Sequence, residues 1–287
     1  MRIIRSALAI RLPRSRGPKV DINSVSKIAQ RSHARSQASD SGFNVRIFPT
    51  LRLTEVKHPK LTGIYGDSKS VFPKRMRFLE PRAADSMGSI LDRLGADIAF
   101  SDMWRSSLAS LRRKYEGRVI PRRGVKPPAF SAHNYGLAVD VAVDRTLESL
   151  NMRDKKELDR LLGEYGWWCH RLDGKRGAED WHYNYLGVKN TPITYRTSGL
   201  IELRIKALYA ACWELDSTSV QMSLRVCGLY EGEIDGKIGP HTIQAVKAFQ
   251  RAFKLAVDGK VGPTTGRVLW FRAAELTCPA LSKLWGR

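Results

Sequence analysis

Cysteine is scarce in this chain of 287 residues, and no two of its four cysteines form a C-x-x-C pair. Cys169, Cys212, Cys227 and Cys278 are too widely spaced for a structural cysteine–zinc site. Free or buried thiols are the expectation, with a bridge such as Cys227–Cys278 as the alternative. Long apolar runs are missing too: none approaches the roughly 20 residues that a membrane-spanning helix needs. The opening stretch MRIIRSALAIRLPRSR resembles an export signal only superficially, because Arg11 interrupts an apolar segment well short of the about 7–15 residues required. Acidic residues are outnumbered, 28 Asp+Glu against 49 Lys+Arg, which leaves a net charge of +21. A field of that sign excludes polycationic partners and favours polyanions: nucleic acid, anionic lipid or a bacterial envelope. With 43% hydrophobic residues the chain is globular rather than disordered, and its length suits one large domain or two ordinary ones.

The charge is unevenly placed. Residues 1–40 hold 9 Lys+Arg and 2 Asp+Glu, are rich in Arg and Ser, and lack sustained periodicity. They read as a basic, flexible arm. Residues 43–80 contain short apolar pieces broken by Pro and Gly, which predicts short strands and loops. The spacing of Trp104, Leu108, Leu111 and Tyr115 predicts a helix over 101–116, with Ser101 as its N-cap and Arg105 beside the buried stripe. Leu158, Leu161, Leu162 and Tyr165 predict a second helix over 153–165, stopped by Gly166. Trp167 and Trp168 open a β-like segment. Residues 191–202, with Pro192 and several Thr and Ser, read as a linker.

Between the helices lies Ser131-Ala-His-Asn-Tyr-Gly-Leu-Ala-Val-Asp140, followed about forty residues later by Glu179-Asp-Trp-His182. Residues 137–144 alternate. Val139, Val141 and Val143 share one strand face; Ala138, Asp140, Ala142 and Asp144 share the other, a face too polar for a core and suited to a site. Gly136 just before allows close backbone approach or a bulge. A catalytic zinc takes three protein ligands and keeps one position open. His133, Asp140 and His182 supply such a set, and Glu179 is the carboxylate placed to move a proton. On an ideal strand Glu179 and His182 would face opposite ways, so a bend or turn at Asp180-Trp181 is required. Arg105, and Tyr183 or Tyr185, are candidates for holding a substrate carboxylate or developing oxyanion, with aromatic packing the alternative for the two tyrosines. Asp144 is read as exposed or supporting rather than as a ligand. His33, His58, His170 and His241 are read as structural.

The C-terminal third contains a repeat. Ile234-Asp-Gly-Lys-Ile-Gly-Pro-His-Thr242 recurs as Val257-Asp-Gly-Lys-Val-Gly-Pro-Thr-Thr265. Asp-Gly makes a tight turn, and Gly-Pro starts a helix with Pro at its first position. Ile243, Val246, Phe249 and Phe253 line one face of the first such helix. The segment therefore reads as a small, mostly α-helical domain over 203–287.

These motifs carry a resemblance. SAHNYGLAVD resembles the SxHxxGxAxD signature of the zinc D-Ala-D-Ala carboxypeptidase and L-alanyl-D-glutamate endopeptidase family, and Glu179-Asp-Trp-His182 resembles its second motif, ExxH. The resemblance implies an α+β zinc peptidase domain over 41–190, a small antiparallel sheet with flanking helices. It implies Zn2+ on His133, Asp140 and His182, with Glu179 as catalytic base and Arg105 as substrate-binding arginine. The C-terminal repeat, with Phe249-Gln250, is similar to the peptidoglycan-binding module of wall hydrolases. Together they imply a monomeric bacterial wall hydrolase similar to modular phage endolysins. Such an enzyme is made in the cytoplasm and, after release, cuts L-Ala–D-Glu in the stem peptide of peptidoglycan. The basic surface would assist on anionic envelope polymers, and no specific nucleic acid is expected. The alternatives are a D-alanyl-D-alanine carboxypeptidase, and a non-catalytic wall- or nucleic-acid-binding protein with a structural zinc.

Overall fold

The computed structural model describes residues 51–61, 77–94, 98–115, 126–169, 179–187 and 215–285. The basic arm 1–40, most of the Pro- and Arg-rich loop before the first motif, and the linker 191–202 lie outside the described residues. Among those described, no helix is long and apolar enough to cross a membrane.

The architecture is mixed α and β. A short antiparallel pair, β1 (Thr54–Glu55) and β2 (Phe78–Leu79), leads into α1 (Pro81–Leu94). Then come β3 (Phe100–Asp102), α2 (Ser107–Tyr115), a 3-10 turn (Ala132–Tyr135), β4 (Ala138–Val141), α3 (Val143–Ser149), α4 (Lys155–Glu164), β5 (Trp167–Cys169) and β6 (His182–Tyr185). The four later strands form one antiparallel sheet in the order β3-β4-β6-β5. Helices α5 (Ser217–Val226), α6 (Pro240–Ala252) and α7 (Pro263–Thr277) follow, closed by a 3-10 segment (Pro279–Trp285).

Local chemistry explains most of these boundaries. Asp154 caps α4 by accepting from the backbone N–H of Lys156 and Glu157 at 2.9 and 3.2 Å, and Gly166 ends it with φ +85°. Pro240 and Pro263 begin α6 and α7 after Gly239 and Gly262, as the repeat predicts. The helix expected over 101–116 is a correction. Residues 100–102 are strand, and the helix begins only at Ser107. Pairing of Phe100 and Asp102 with β4 overrides the local helical spacing, leaving Trp104 and Arg105 in the connecting turn and Leu108 42% exposed. The strand expected to run to Asp144 also stops early, because Val143 and Asp144 open α3.

Two groups of buried side chains hold these elements. The first joins Leu79, Met87, Ile90, Leu91, Val139, Leu158 and Trp167 beneath the sheet. Burying a Met, Ile or Leu side chain there contributes about 1.5–3 kcal/mol each. The second joins Val220, Leu224, Val246, Phe249 and Phe253 around α5 and α6. Helix α7 serves both: Val268 and Leu269 belong to the second group, Phe271 and Ala274 to the first. Leu111 of α2 belongs to the second group as well. The described residues accordingly pack as one compact unit.

Each Asp-Gly turn of the repeat is pinned by a buried glutamine of the helix before it. Gln221 donates to Asp235 Oδ1 and to the Lys237 carbonyl at 2.8 and 3.0 Å, and accepts from Gly236 N–H at 2.9 Å. Gln250 repeats the set on Asp258, Lys260 and Gly259 at 2.7, 3.0 and 2.9 Å. Gly236 and Gly259 both have positive φ, which is why Gly occupies them.

Candidate metal centre

The ligand-type residues converge because of strand register. Asp140 in β4 stands directly opposite His182 in β6 on one side and Asp102 in β3 on the other. Directly opposed residues of an antiparallel pair point to the same face, so these three side chains share one side of the sheet. His133 arrives from the 3-10 turn before β4, and Gly136 makes that arrival possible. Its φ is +65°, its carbonyl accepts from Glu80 N–H at 3.0 Å, and an added Cβ would sit 2.5 Å from Glu80 N. The close approach expected at Gly136 is therefore an approach of backbone to backbone.

His133 Nε2, Asp140 Oδ1 and His182 Nδ1 lie within 4.8 Å of one another. His133 Nε2 is 3.1 Å from Asp140 Oδ1 and 3.2 Å from His182 Nδ1, and His182 Nδ1 is 2.8 Å from Asp140 Oδ1. The other ring nitrogens assign the tautomers. His133 Nδ1 lies 2.6 Å from the Met103 carbonyl, and His182 Nε2 lies 3.1 Å from Asn184 Oδ1. Both partners are acceptors, so each of those nitrogens carries the hydrogen. In neutral rings the lone pairs of His133 Nε2 and His182 Nδ1 then face each other and the Asp140 carboxylate. Three acceptors in mutual contact repel unless a cation lies among them. Two imidazoles and one carboxylate suit zinc, and the partners on the far nitrogens orient the rings for it. A proton on the rings can stand in for that cation: burial opposes ionisation of Asp140, but the charge and hydrogen bonds of protonated His133 and His182 outweigh it and hold its carboxyl well below the usual carboxylate range.

Arg105 is buried beside this cluster. It donates from Nε to Asp102 Oδ2 at 2.9 Å, pairs with the same oxygen through Nη2, and reaches 3.9 Å from Asp140 Oδ2. Arg113, half-exposed, shares Asp102 at 2.9 Å. Glu179 occupies an exposed turn with φ +61°, and its carbonyl accepts from His182 N–H at 3.1 Å. That is the turn needed at Asp180-Trp181. Among the described residues, nothing hydrogen-bonds to the Glu179 carboxylate or ion-pairs with it. A cavity of about 400 Å³ opens beside Asp140, walled by Ser101, Arg113, Asp144, Asp180 and Trp181 together with Val141 and Val143. Asp144 lies on its rim as an exposed residue.

Tyr183 and Tyr185 are buried and pack rather than face the site. The Tyr183 hydroxyl donates to Asp159 at 2.7 Å; burial, then the neighbouring Asp159 charge, pushes it far above the usual phenol range. His58 pairs with Asp92 at 3.1 Å. Among the described residues, Cys169, Cys227 and Cys278 form no disulfide. The supporting roles of Met103, Asp102 and Asn184 were not legible beforehand. Only Asn184, two residues after His182 and so on the same strand face, left a signal.

The fold and site thus place a candidate metal centre next to a repeat-built helical segment, and that segment is similar to a known family. Residues 216–269 match the family described as "Putative peptidoglycan binding domain". The chain is also 37% identical over 62 residues to the N-acetylmuramoyl-L-alanine amidase CwlM of Mycobacterium tuberculosis (strain ATCC 25618 / H37Rv), which is 22% of this chain and 15% of that protein. It thus spans a small part of that relative's length. Among solved structures it is similar to the LdcB LD-carboxypeptidase, described for its peptidoglycan recognition, at 20% identity and a TM-score of 0.32 over 45% of this chain and 66% of that one.

Proposed function

We propose that this chain is a zinc-dependent peptidoglycan hydrolase of the endolysin type, an L-alanyl-D-glutamate endopeptidase that acts on the cell wall. The observation that carries the reading is the mutual contact of His133 Nε2, Asp140 Oδ1 and His182 Nδ1, in a chain whose residues 216–269 match a peptidoglycan-binding family. Zinc held by those three atoms would polarise a scissile carbonyl and acidify water at neutral pH. Glu179, three residues before His182 on an exposed turn, takes the proton from the attacking water and returns it to the leaving amine. Arg105 and Arg113, gathered on Asp102, bring positive charge to the cavity side of Asp140, where an acidic stem residue or a developing oxyanion would lie. The segment 215–285 keeps the enzyme on its insoluble substrate and so raises the local concentration of bonds to cut. On this reading the protein works at the wall after release from the cytoplasm.

Mass spectrometry of digested peptidoglycan tests the proposal. A new N-terminal D-Glu is expected, with activity lost on chelation and restored by zinc. Loss of a terminal D-Ala would instead make the chain a carboxypeptidase. An active chelated enzyme, or an active Glu179→Ala variant, would sink the mechanism. Retention on DNA with no attack on walls would return the structural-zinc alternative.

A further inference from the structure

The C-terminal helix α7 reaches the metal centre by two routes. Glu275, near its end, is fully buried. Its carboxylate accepts from the backbone N–H of Ser107 at 3.0 Å and from the Ser107 hydroxyl at 2.5 Å, and pairs with Arg272 at 2.6 Å. Ser107 is the first residue of α2, where backbone N–H groups have no helical partner. A carboxylate 168 residues away in sequence thus takes the first free N–H of α2, beside the local cap Ser106, whose hydroxyl accepts from Ala109 N–H at 3.0 Å. Four residues upstream of Ser107 is Met103, whose carbonyl holds His133 Nδ1 at 2.6 Å. The stretch between is tied to the same turn, since Arg105 N–H donates to the His133 carbonyl at 3.1 Å and Asn134 Nδ2 donates to the Arg105 carbonyl at 2.7 Å. The second route runs through Tyr135, two residues after His133. Its ring stacks on Trp270 at 6.3 Å and tilts against Phe271 at 5.4 Å, both on α7.

We propose that Glu275 is a positioning residue of the metal centre. By anchoring the start of α2 it fixes the Met103 carbonyl that orients His133, so the last helix of the wall-binding segment is part of the scaffold of the site. The inference rests on the zinc reading above. It implies that the segment is not an exchangeable tether: cutting the chain before α7 removes one wall of the site's support.

The test is zinc affinity of the full-length chain, measured by competition with a chromogenic chelator and accompanied by the visible spectrum of the cobalt-substituted protein. Glu275→Gln keeps the shape and removes the charge. It should bind zinc about tenfold more weakly, the loss typical of removing a group that orients a ligand, and should shift the cobalt bands. Sedimentation with insoluble peptidoglycan should be unchanged, because Glu275 faces α2 and not solvent. Ser107→Ala, which removes only the hydroxyl, should show the same change at about threefold. If Glu275→Gln fails to fold, Ser107→Ala decides the matter alone. A folded variant with wild-type zinc affinity and cobalt spectrum overturns the inference and leaves the function reading intact. A wild-type chain that holds no zinc overturns both.

Discussion

Replacing Lys155 by Met should be among the most destabilising single changes outside the metal centre. Lys155 is 3% exposed, and its ammonium touches both oxygens of Asp159 at 2.6 and 2.8 Å. It also reaches Cys169 Sγ at 3.3 Å and lies 5.4 Å from the centre of the Tyr183 ring. Met preserves most of the volume, so little packing is lost. What is lost is the ammonium on a buried carboxylate. Breaking a buried pair from one side costs about 3–5 kcal/mol, whereas replacing both partners by apolar groups is often neutral. At about 2–4 °C per kcal/mol for a chain of this class, the melting temperature should fall by about 6–20 °C. Urea unfolding followed by tryptophan fluorescence is the assay, with Trp167 and Trp168 beside Cys169 as reporters. The midpoint should drop with the slope unchanged. The triple variant Lys155→Met, Asp159→Leu, Tyr183→Phe should recover most of the loss, the third change removing the hydroxyl that would otherwise lose its acceptor. A single-variant cost below about 1 kcal/mol would show that the pair behaves like an exposed one, and the reasoning would fail. The pair matters to the site because Tyr183, which donates to Asp159, faces the back of β6 while His182, its neighbour, faces the front.

Other consequences are as direct. Asn184→Ala removes the acceptor that orients His182 and should weaken zinc binding about 10–100-fold with the fold retained, read by the same chelator competition. Gly136→Ala places a Cβ 2.5 Å from Glu80 N at a φ of +65° and should cost about 2–5 kcal/mol in denaturant titration, from left-handed strain plus overpacking. Asp235 and Asp258 have carboxyls held below their usual range. Asp235 owes this first to the Gln221 amide and then to Lys237 N–H; Asp258 first to Lys260 N–H and then to the Gln250 amide. A depressed folded pKa gives stability that is complete above the unfolded value of about 3.9 and is lost as pH falls through the folded one. Thermal unfolding of the helical segment should therefore ease as pH drops below about 4. Gln221→Ala and Gln250→Ala should flatten that dependence, and an unchanged acid limb would refute the clamp.

Much of this was written locally. The Gly-Pro helix starts, the Asp-Gly turns, the stop at Gly166 and the ligand set His133, Asp140 and His182 all rest on residue type and spacing, because turns, caps and metal donors are short-range chemistry. The error over residues 101–106 has the opposite cause. Trp104, Leu108, Leu111 and Tyr115 have helical spacing, yet Phe100 and Asp102 gain a strand partner in β4, and no local window contains that partner. Distance in sequence hid the rest as well. The opposition of Asp140 and His182 is a matter of register between strands some forty residues apart. The Met103 carbonyl on His133 is a backbone contact that carries no residue code. Glu275 belongs to no sequence motif, and only the packing of α7 against α2 buries it and gives it Ser107. The sequence alone determined which atoms could hold a metal and which turns could build the helical repeat. Tertiary structure decided that three lone pairs meet, and that the last helix supports the place where they do, because both depend on contacts between segments that only folding brings together.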